Sequence, residues 1–174
     1  MADDHELWER IRRSDAEAFG SFYRTYAARL EVFLRHVLQD HQAAEDVTQE
    51  TFARMWERRN GFDPQRGTLR AYLFGAGRKR ASEWWRKRGT QVDQLKNDSG
   101  VRNAETAALV SDALSRMPEE QRSLLWLRET EGHSYEELAT ILDVPVGTVR
   151  SRLFTAREGL RKIWRAEPKR EQKL

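Results

Sequence analysis

The sequence predicts an all-α protein: two small helical domains joined by a flexible linker. Three observations point this way. Apolar residues recur at three- and four-residue steps through most of the chain, with no convincing alternating strand. The stretch "GTQVDQLKNDSGVRN", Gly89 to Asn103, is polar, holds two glycines and interrupts that periodicity. The 174 residues suit one or two small domains better than a single large one. The expected division is 1–88, a linker over 89–104, and 105–174.

Ser14 followed by Glu17 has the spacing of a capping box. The helix it would open carries Phe19, Phe22, Tyr23, Tyr26, Leu30, Phe33, Leu34 and Val37 on one stripe. A second helix fits 42–59, with Ala44, Val47, Thr51, Phe52 and Met55 turned to the core. Asn60-Gly61 stops it and "FDPQRG" reads as a loop. Thr68 can cap a third helix through Leu69, Tyr72, Leu73, Ala76 and Trp84. Gly75 and Gly77 weaken that helix by roughly 1 kcal/mol each relative to alanine. Close packing therefore compensates, or the helix is locally soft. Trp84 is assigned to the core. Trp85 points about 100° away from it, and stacking or partner packing suits it equally.

Helices resume near Ala104, with Ala107, Ala108, Val110 and Leu114 apolar. Pro118, at the expected first helical position, and the carboxylates Glu119 and Glu120 mark a fresh start that runs to about Glu129. Ser134 and Glu137 form another capping box, for a short helix to about Leu142. "DVPVG" is a turn, and an arginine-rich helix spans about Gly147 to Trp164.

Charge comes in blocks. Residues 58–88 carry a net +8 and 148–174 a net +6, while 1–57 and 118–147 each carry −5. Two basic segments, each preceded by an acidic one, suggest two polyanion-facing surfaces on a protein with further partners. The absence of cysteine excludes disulfides, thiolate metal sites and cysteine nucleophiles, and suits a reducing cytosol. No stretch approaches the roughly 18 apolar residues of a membrane span, and "MADDHELWER" lacks the apolar core of a signal peptide. The expectation is a cytoplasmic chain with no membrane insertion. His5, His36, His41 and His133 show no metal-ligand spacing, and no nucleophile elbow or phosphate-binding glycine loop appears. Neither a cofactor nor an enzymatic activity is expected.

The last two helices, joined by a tight turn, have the helix-turn-helix pattern. On the second, Val149, Leu153, Ala156, Leu160 and Ile163 cluster on one side. Gly147, Ser151, Phe154, Thr155, Glu158 and Lys162 project opposite, with Arg150, Arg157 and Arg161 on one flank and Arg152 on the other. Small, hydroxyl and aromatic groups between arginines suit a major groove, the centre touching base edges and the flanks holding phosphates. A plain surface helix, or a pair packing on another protein, fits the same spacing.

The stretch "MPEEQRSLLWLRETEGHSYEELATILDVPVGTVRSRLFTAREGL" resembles region 4 of an extracytoplasmic-function sigma factor, a small member of the bacterial sigma-70 family. "AAEDVTQETFARMW" resembles region 2.2, and "FDPQRGTLRAYLFGAGRKRASEWWRKR" resembles regions 2.3 and 2.4. The order matches, with no region 3 domain between. The resemblance implies that region 2.2 docks on the clamp helices of core RNA polymerase through Asp46, Gln49, Glu50 and Trp56, with Phe52 shared with the core. Read without it, the carboxylates form a solvated face.

The +8 block, on the same resemblance, implies minus-10 promoter binding. Arg66, Arg70, Arg78, Lys79, Arg80, Arg86 and Arg88 would track single-strand phosphate, Phe62 and Tyr72 would flank an unstacked base, and Trp85 is a further stacking candidate. Minus-35 contact would fall to Thr148, Arg150, Ser151, Arg152, Phe154, Thr155, Arg157 and Arg161. Three positions depart from the family pattern. Lys79 stands where an asparagine is common, Asp143 where glycine is, and Thr155 where an arginine is frequent. A shifted minus-35 preference is expected. The implied function is an alternative sigma factor, monomeric when free, partnered by core polymerase, promoter DNA and an anti-sigma factor. Competing readings are a helix-turn-helix regulator acting without polymerase, and a sigma mimic that titrates an inhibitor.

Overall fold

A computed structural model of the chain describes residues 4–88 and 112–166, helical with short connections and no strand among those residues. The first lobe holds α1 (Asp4–Arg12), α2 (Ala16–Leu38), α3 (His41–Glu57), a 3-10 turn (Pro64–Arg66) and α4 (Leu69–Arg88). The second holds a helical turn at 112–115, α5 (Glu119–Leu125) running into a π-helical turn (Trp126–Thr130), α6 (Tyr135–Leu142) and α7 (Val146–Ala166). The expected linker and the resumption at Ala104 lie outside the described residues.

The sequence offered no sign of α1. It buries only Trp8 and Ile11, and its C-terminal turn explains a second correction. Ser14 adopts a left-handed backbone (φ 65°) and donates its N–H to the Ile11 carbonyl, so it closes α1 instead of opening α2. A helix N-cap needs extended backbone. Asp15 has it, and its carboxylate accepts from the N–H groups of Glu17 and Ala18. Gln39, also left-handed, ends α2, and Asp40 caps α3 through the Ala43 N–H. Thr68 caps as expected, its Oγ1 accepting from Ala71 at 3.1 Å. Pro118 is the N-cap of α5, one position earlier than expected.

α2, α3 and α4 pack as a three-helix bundle around Phe22, Leu30, Phe33, Leu34, Phe52, Leu73 and Phe74. The glycines of α4 mark close approaches. A Cβ on Gly77 would stand 2.8 Å from Leu30 Cδ1, and one on Gly75 would stand 3.5 Å from the Ile141 Cα of the second lobe. Close packing thus compensates for their poor helix propensity. Trp84 is half-buried, not core. It meets Trp85 edge-on at 5.0 Å and carries the Arg88 guanidinium over its ring at 4.5 Å.

The second lobe buries Leu124, Leu127, Leu138, Ile141, Val149, Leu153 and Ala156, which continue the apolar core of the first. The Ser134–Glu137 capping box forms as expected, and Asp143 takes the left-handed conformation (φ 54°) that lets the chain turn into α7. This lobe rests against the first, α6 on α4 and α5 on α2. At that seam Phe74 packs edge-on against His133 at 5.1 Å, and His36 stacks on Trp126 at 3.7 Å.

Candidate polymerase and nucleic-acid interfaces

On α3 the helical period divides core from surface. Ala44, Val47, Thr51, Phe52 and Met55 are buried, while Asp46, Gln49 and Glu50 stay exposed on one face. Asp46 accepts only a long hydrogen bond from Gln42, at 3.3 Å. Glu50 is more engaged, pairing with Arg54 at 2.8 Å and Arg80 at 3.2 Å. Phe52 is a correction: at 2 % exposure, ringed by Phe19, Phe22 and Tyr23, it is core alone. Trp56 is half-buried against Phe19, with the Arg59 guanidinium over its ring at 5.4 Å. The exposed Tyr23 beside Phe52 was missed as a surface aromatic, because it sits in the α2 apolar stripe.

Of the minus-10 candidates, Phe62, Arg66, Tyr72, Arg78, Lys79 and Arg80 line one groove of about 600 Å³. Arg54 and Arg58 of α3 line it too, and the sequence did not single them out. Arg70, Trp85, Arg86 and Arg88 lie outside its lining. Arg86 is exposed, Arg88 pairs with Asp40 at 2.9 Å, and Trp85 is half-buried beside Trp84. Phe62 is a further correction. Its ring, 7 % exposed, is taken by Trp8 at 5.3 Å and Tyr72 at 5.5 Å, leaving no face free to flank a base.

The far wall of the groove is the second lobe, from Thr140 to Asp143. Thr140 Oγ1 donates to the Arg66 carbonyl at 3.1 Å. Arg70 turns to α6, where its Nη2 donates to Glu137 Oε2 at 2.8 Å and its Nη1 to the Glu131 carbonyl at 3.2 Å. Glu137 also accepts from Thr68 Oγ1 at 2.6 Å and from the Ser134 N–H at 2.9 Å. Burial pushes this carboxyl up, but the bonds from Thr68, Ser134 and Arg70 outweigh it and hold it at about 2. His133, wholly buried, has its Nδ1 3.4 Å from Glu137 Oε2. Burial, reinforced by Arg70, lowers it to about 4 against the pull of Glu137. Arg29 adds a bond to Glu131 at 2.8 Å. Apart from the Ser134–Glu137 cap, the sequence showed none of this cluster.

On α7, Val149, Leu153 and Ala156 are buried and Leu160 and Ile163 pack at the edge of the same core. Ser151, Phe154 and Thr155 are exposed, Phe154 at 68 %. Thr148 is half-buried in the first turn. The hydroxyls of Ser151 and Thr155 donate to the carbonyls of Thr148 and Ser151, so their oxygens keep lone pairs for an incoming donor. Arg150 lies over the Tyr135 ring at 5.7 Å. Arg152 meets Glu120 at 3.5 Å, Arg157 meets Glu129 at 2.7 Å, and Arg161 pairs with Glu158. Glu120 and Glu129, which precede α7, thus brace Arg152 and Arg157 at the rim. Among the described residues no cluster of His, Asp and Glu could hold a metal ion, and no helix is long and apolar enough to cross a membrane.

Known proteins share this arrangement. Residues 22–91 match the family model for Sigma-70 region 2, and 107–160 that for Sigma-70, region 4. The RNA polymerase sigma-H factor of Pseudomonas aeruginosa is 30 % identical, over 91 % of this chain and 92 % of its own. The ECF RNA polymerase sigma-E factor of Haemophilus influenzae is 30 % identical, over 89 % of this chain and 92 % of its own. The structure of CnrH in complex with the cytosolic domain of CnrY superposes with a TM-score of 0.75 at 25 % identity, covering 95 % of this chain and 99 % of that one. The sigma factor RpoE of Bartonella quintana, solved with the anti-sigma factor NepR, shares the fold at the same TM-score of 0.75 and 24 % identity, over 88 % of this chain and 100 % of that one. The chain belongs to the sigma-70 family, as an extracytoplasmic-function sigma factor. Regions 2 and 4 of that family bind core RNA polymerase and promoter DNA. The match to region 2 favours this over a regulator that works without polymerase.

Proposed function

We propose that this sigma factor docks on core polymerase through the exposed row Asp46, Gln49 and Glu50 of α3, with Trp56 at its edge. The minus-10 strand takes the basic groove of Arg66, Arg78, Lys79 and Arg80, widened by Arg54 and Arg58, with Tyr72 as its aromatic wall. Arg70, Trp85, Arg86 and Arg88 extend the contact beyond the groove. The minus-35 duplex takes α7, where Ser151, Phe154 and Thr155 meet base edges and Arg150, Arg152, Arg157 and Arg161 hold phosphates, with Thr148 in the first turn near the helix's positive end. Regions 2 and 4 occupy 1–88 and 105–174, joined by 89–104. Catalysis belongs to the polymerase, and the protein works in the cytoplasm as a monomer until it binds. An anti-sigma factor restrains it, a reading supported by the neighbours solved with such partners.

The observation that carries the promoter reading is the division of α7, with its apolar edge inside the lobe and its opposite face exposed between arginines. Each phosphate contact contributes about one unit to the slope of log affinity against log salt. Arg150→Ala in the full chain is expected to weaken duplex DNA binding and to reduce that slope by about one. An unchanged slope in a salt titration would remove Arg150 from the interface.

A further inference from the structure

The outer face of α7 carries one kind of hydrogen-bonding group. Along its first three turns, the residues opposite the apolar edge are Gly147, Ser151, Phe154, Thr155 and Glu158. A free hydroxyl can donate or accept. Here both hydroxyl hydrogens are committed to the helix, Ser151 Oγ donating to the Thr148 carbonyl at 3.0 Å and Thr155 Oγ1 to the Ser151 carbonyl at 3.1 Å. Both residues are exposed and, four apart, lie one above the other. What they offer outward is oxygen lone pairs. Glu158, paired with Arg161, is an acceptor as well, and Phe154 offers only its ring. The adjacent cation, Arg152, turns across a notch of about 180 Å³ to Glu120 of α5 at 3.5 Å. Lys162, the next donor on this face, stands two turns beyond Thr155, about 10 Å along the axis.

The major-groove edge of DNA distinguishes bases by the same property. Adenine N6 and cytosine N4 donate, whereas guanine O6 and thymine O4 accept. An acceptor set against an amine forms a hydrogen bond. Set against a carbonyl, it leaves two acceptors facing each other, desolvated and unpaired. We propose that Ser151 and Thr155 make α7 a reader of amino bases, selecting adenine or cytosine over guanine or thymine at the two minus-35 steps that they face. This rests on the assignment of α7 to the minus-35 duplex and adds the chemical class of base that the helix takes. The bond from Thr155 Oγ1 to the Ser151 carbonyl also holds the side chain in one rotamer, so the acceptor is in place before DNA arrives. Donating to guanine instead would break that bond.

The test uses the purified full chain at low salt. Duplexes with a randomised core are selected on wild type and on Thr155→Val, Ser151→Ala and Thr155→Arg, and the bound sequences are compared. Both sites are exposed, and circular dichroism checks that helicity is retained. Wild type is expected to enrich adenine or cytosine at two positions of one strand. Thr155→Val, which keeps the shape and removes the acceptor, should erase the preference at one of them only, and Ser151→Ala at the other. Thr155→Arg, a bidentate donor, should turn the Thr155 position to guanine. In the selected duplex, purine in place of adenine at that position, or pyrimidin-2-one in place of cytosine, removes the amine alone. This is expected to weaken wild-type binding about tenfold and to leave Thr155→Val unaffected. Guanine or thymine enriched at the Thr155 position of wild type overturns the proposal, as does an equal loss in both proteins when the amine is removed. Failure of the minus-35 assignment is distinguishable: no α7 variant, Phe154→Ala and Arg150→Ala included, would then alter the selected sequence or the affinity. A wild-type pool with no preferred sequence contradicts both.

Discussion

Acidification from pH 7 to pH 4 is expected to destabilise the protein by roughly 3 kcal/mol through His133 alone, on the scale of 1.36 kcal/mol per pKa unit. An imidazole in the unfolded chain titrates near 6.5, whereas burial and Arg70 lower His133 in the folded protein to about 4. Between these values the unfolded state binds the extra proton, so stability rises with pH across the window and is fully present above about 6.5. Charging the ring would place a cation beside Arg70 and Arg29, with Glu137 the acidic group facing it. Glu137 acts lower down. Held at about 2, it contributes stability that is lost as pH falls from about 4.5 towards 2. His36, lowered mainly by burial, shifts stability in the same direction as His133. The informative quantity is therefore the difference between wild type and His133→Leu. Urea unfolding at pH 7, 5.5 and 4.5 should show wild type losing stability relative to His133→Leu as pH falls. Parallel pH dependences would contradict the assignment.

Phe74→Ala is expected to cost about 3–5 kcal/mol, the range for truncating a fully buried aromatic. Its ring is 0 % exposed and touches both lobes, Phe33 at 5.6 Å in the first and His133 in the second. The cavity would open between α2, α4 and the turn before α6, where Phe33 and His133 meet the ring. Thermal unfolding followed by circular dichroism should move both lobes to lower temperature together. A loss below about 1 kcal/mol would mean that the seam relaxes around the missing ring.

What the sequence made legible was local. The α3 core positions, the Ser134–Glu137 capping box and the apolar edge of α7 are set by residues three or four apart, which is the range of helical periodicity and capping. α1 escaped because nine residues with two buried side chains leave too little periodicity to separate from a charged tail. Ser14 was misread for the same reason, since without α1 there was no helix for it to close. Phe62 looked like a loop aromatic, and only Trp8, distant in sequence, shows why its ring is buried. The seam was beyond reach altogether. Arg70 and Glu137 are separated by 67 residues, and Glu137 already had a sufficient local role as a cap. Gly75 and Gly77 posed a question that only the facing residues, Ile141 and Leu30, could answer.

The polymerase-docking row is the part of the assignment on which the others depend, and Asp46 is its cleanest probe. Glu50 is braced by Arg54 and Arg80, so reversing its charge would disturb α4 as well, whereas Asp46 accepts only the long bond from Gln42. The measurement is binding of the full chain to bacterial core RNA polymerase, wild type against Asp46→Arg. Tight binding that falls by at least about tenfold in the variant, with duplex DNA binding retained, is the predicted result. A wild-type chain that binds duplex DNA but not core polymerase would contradict it.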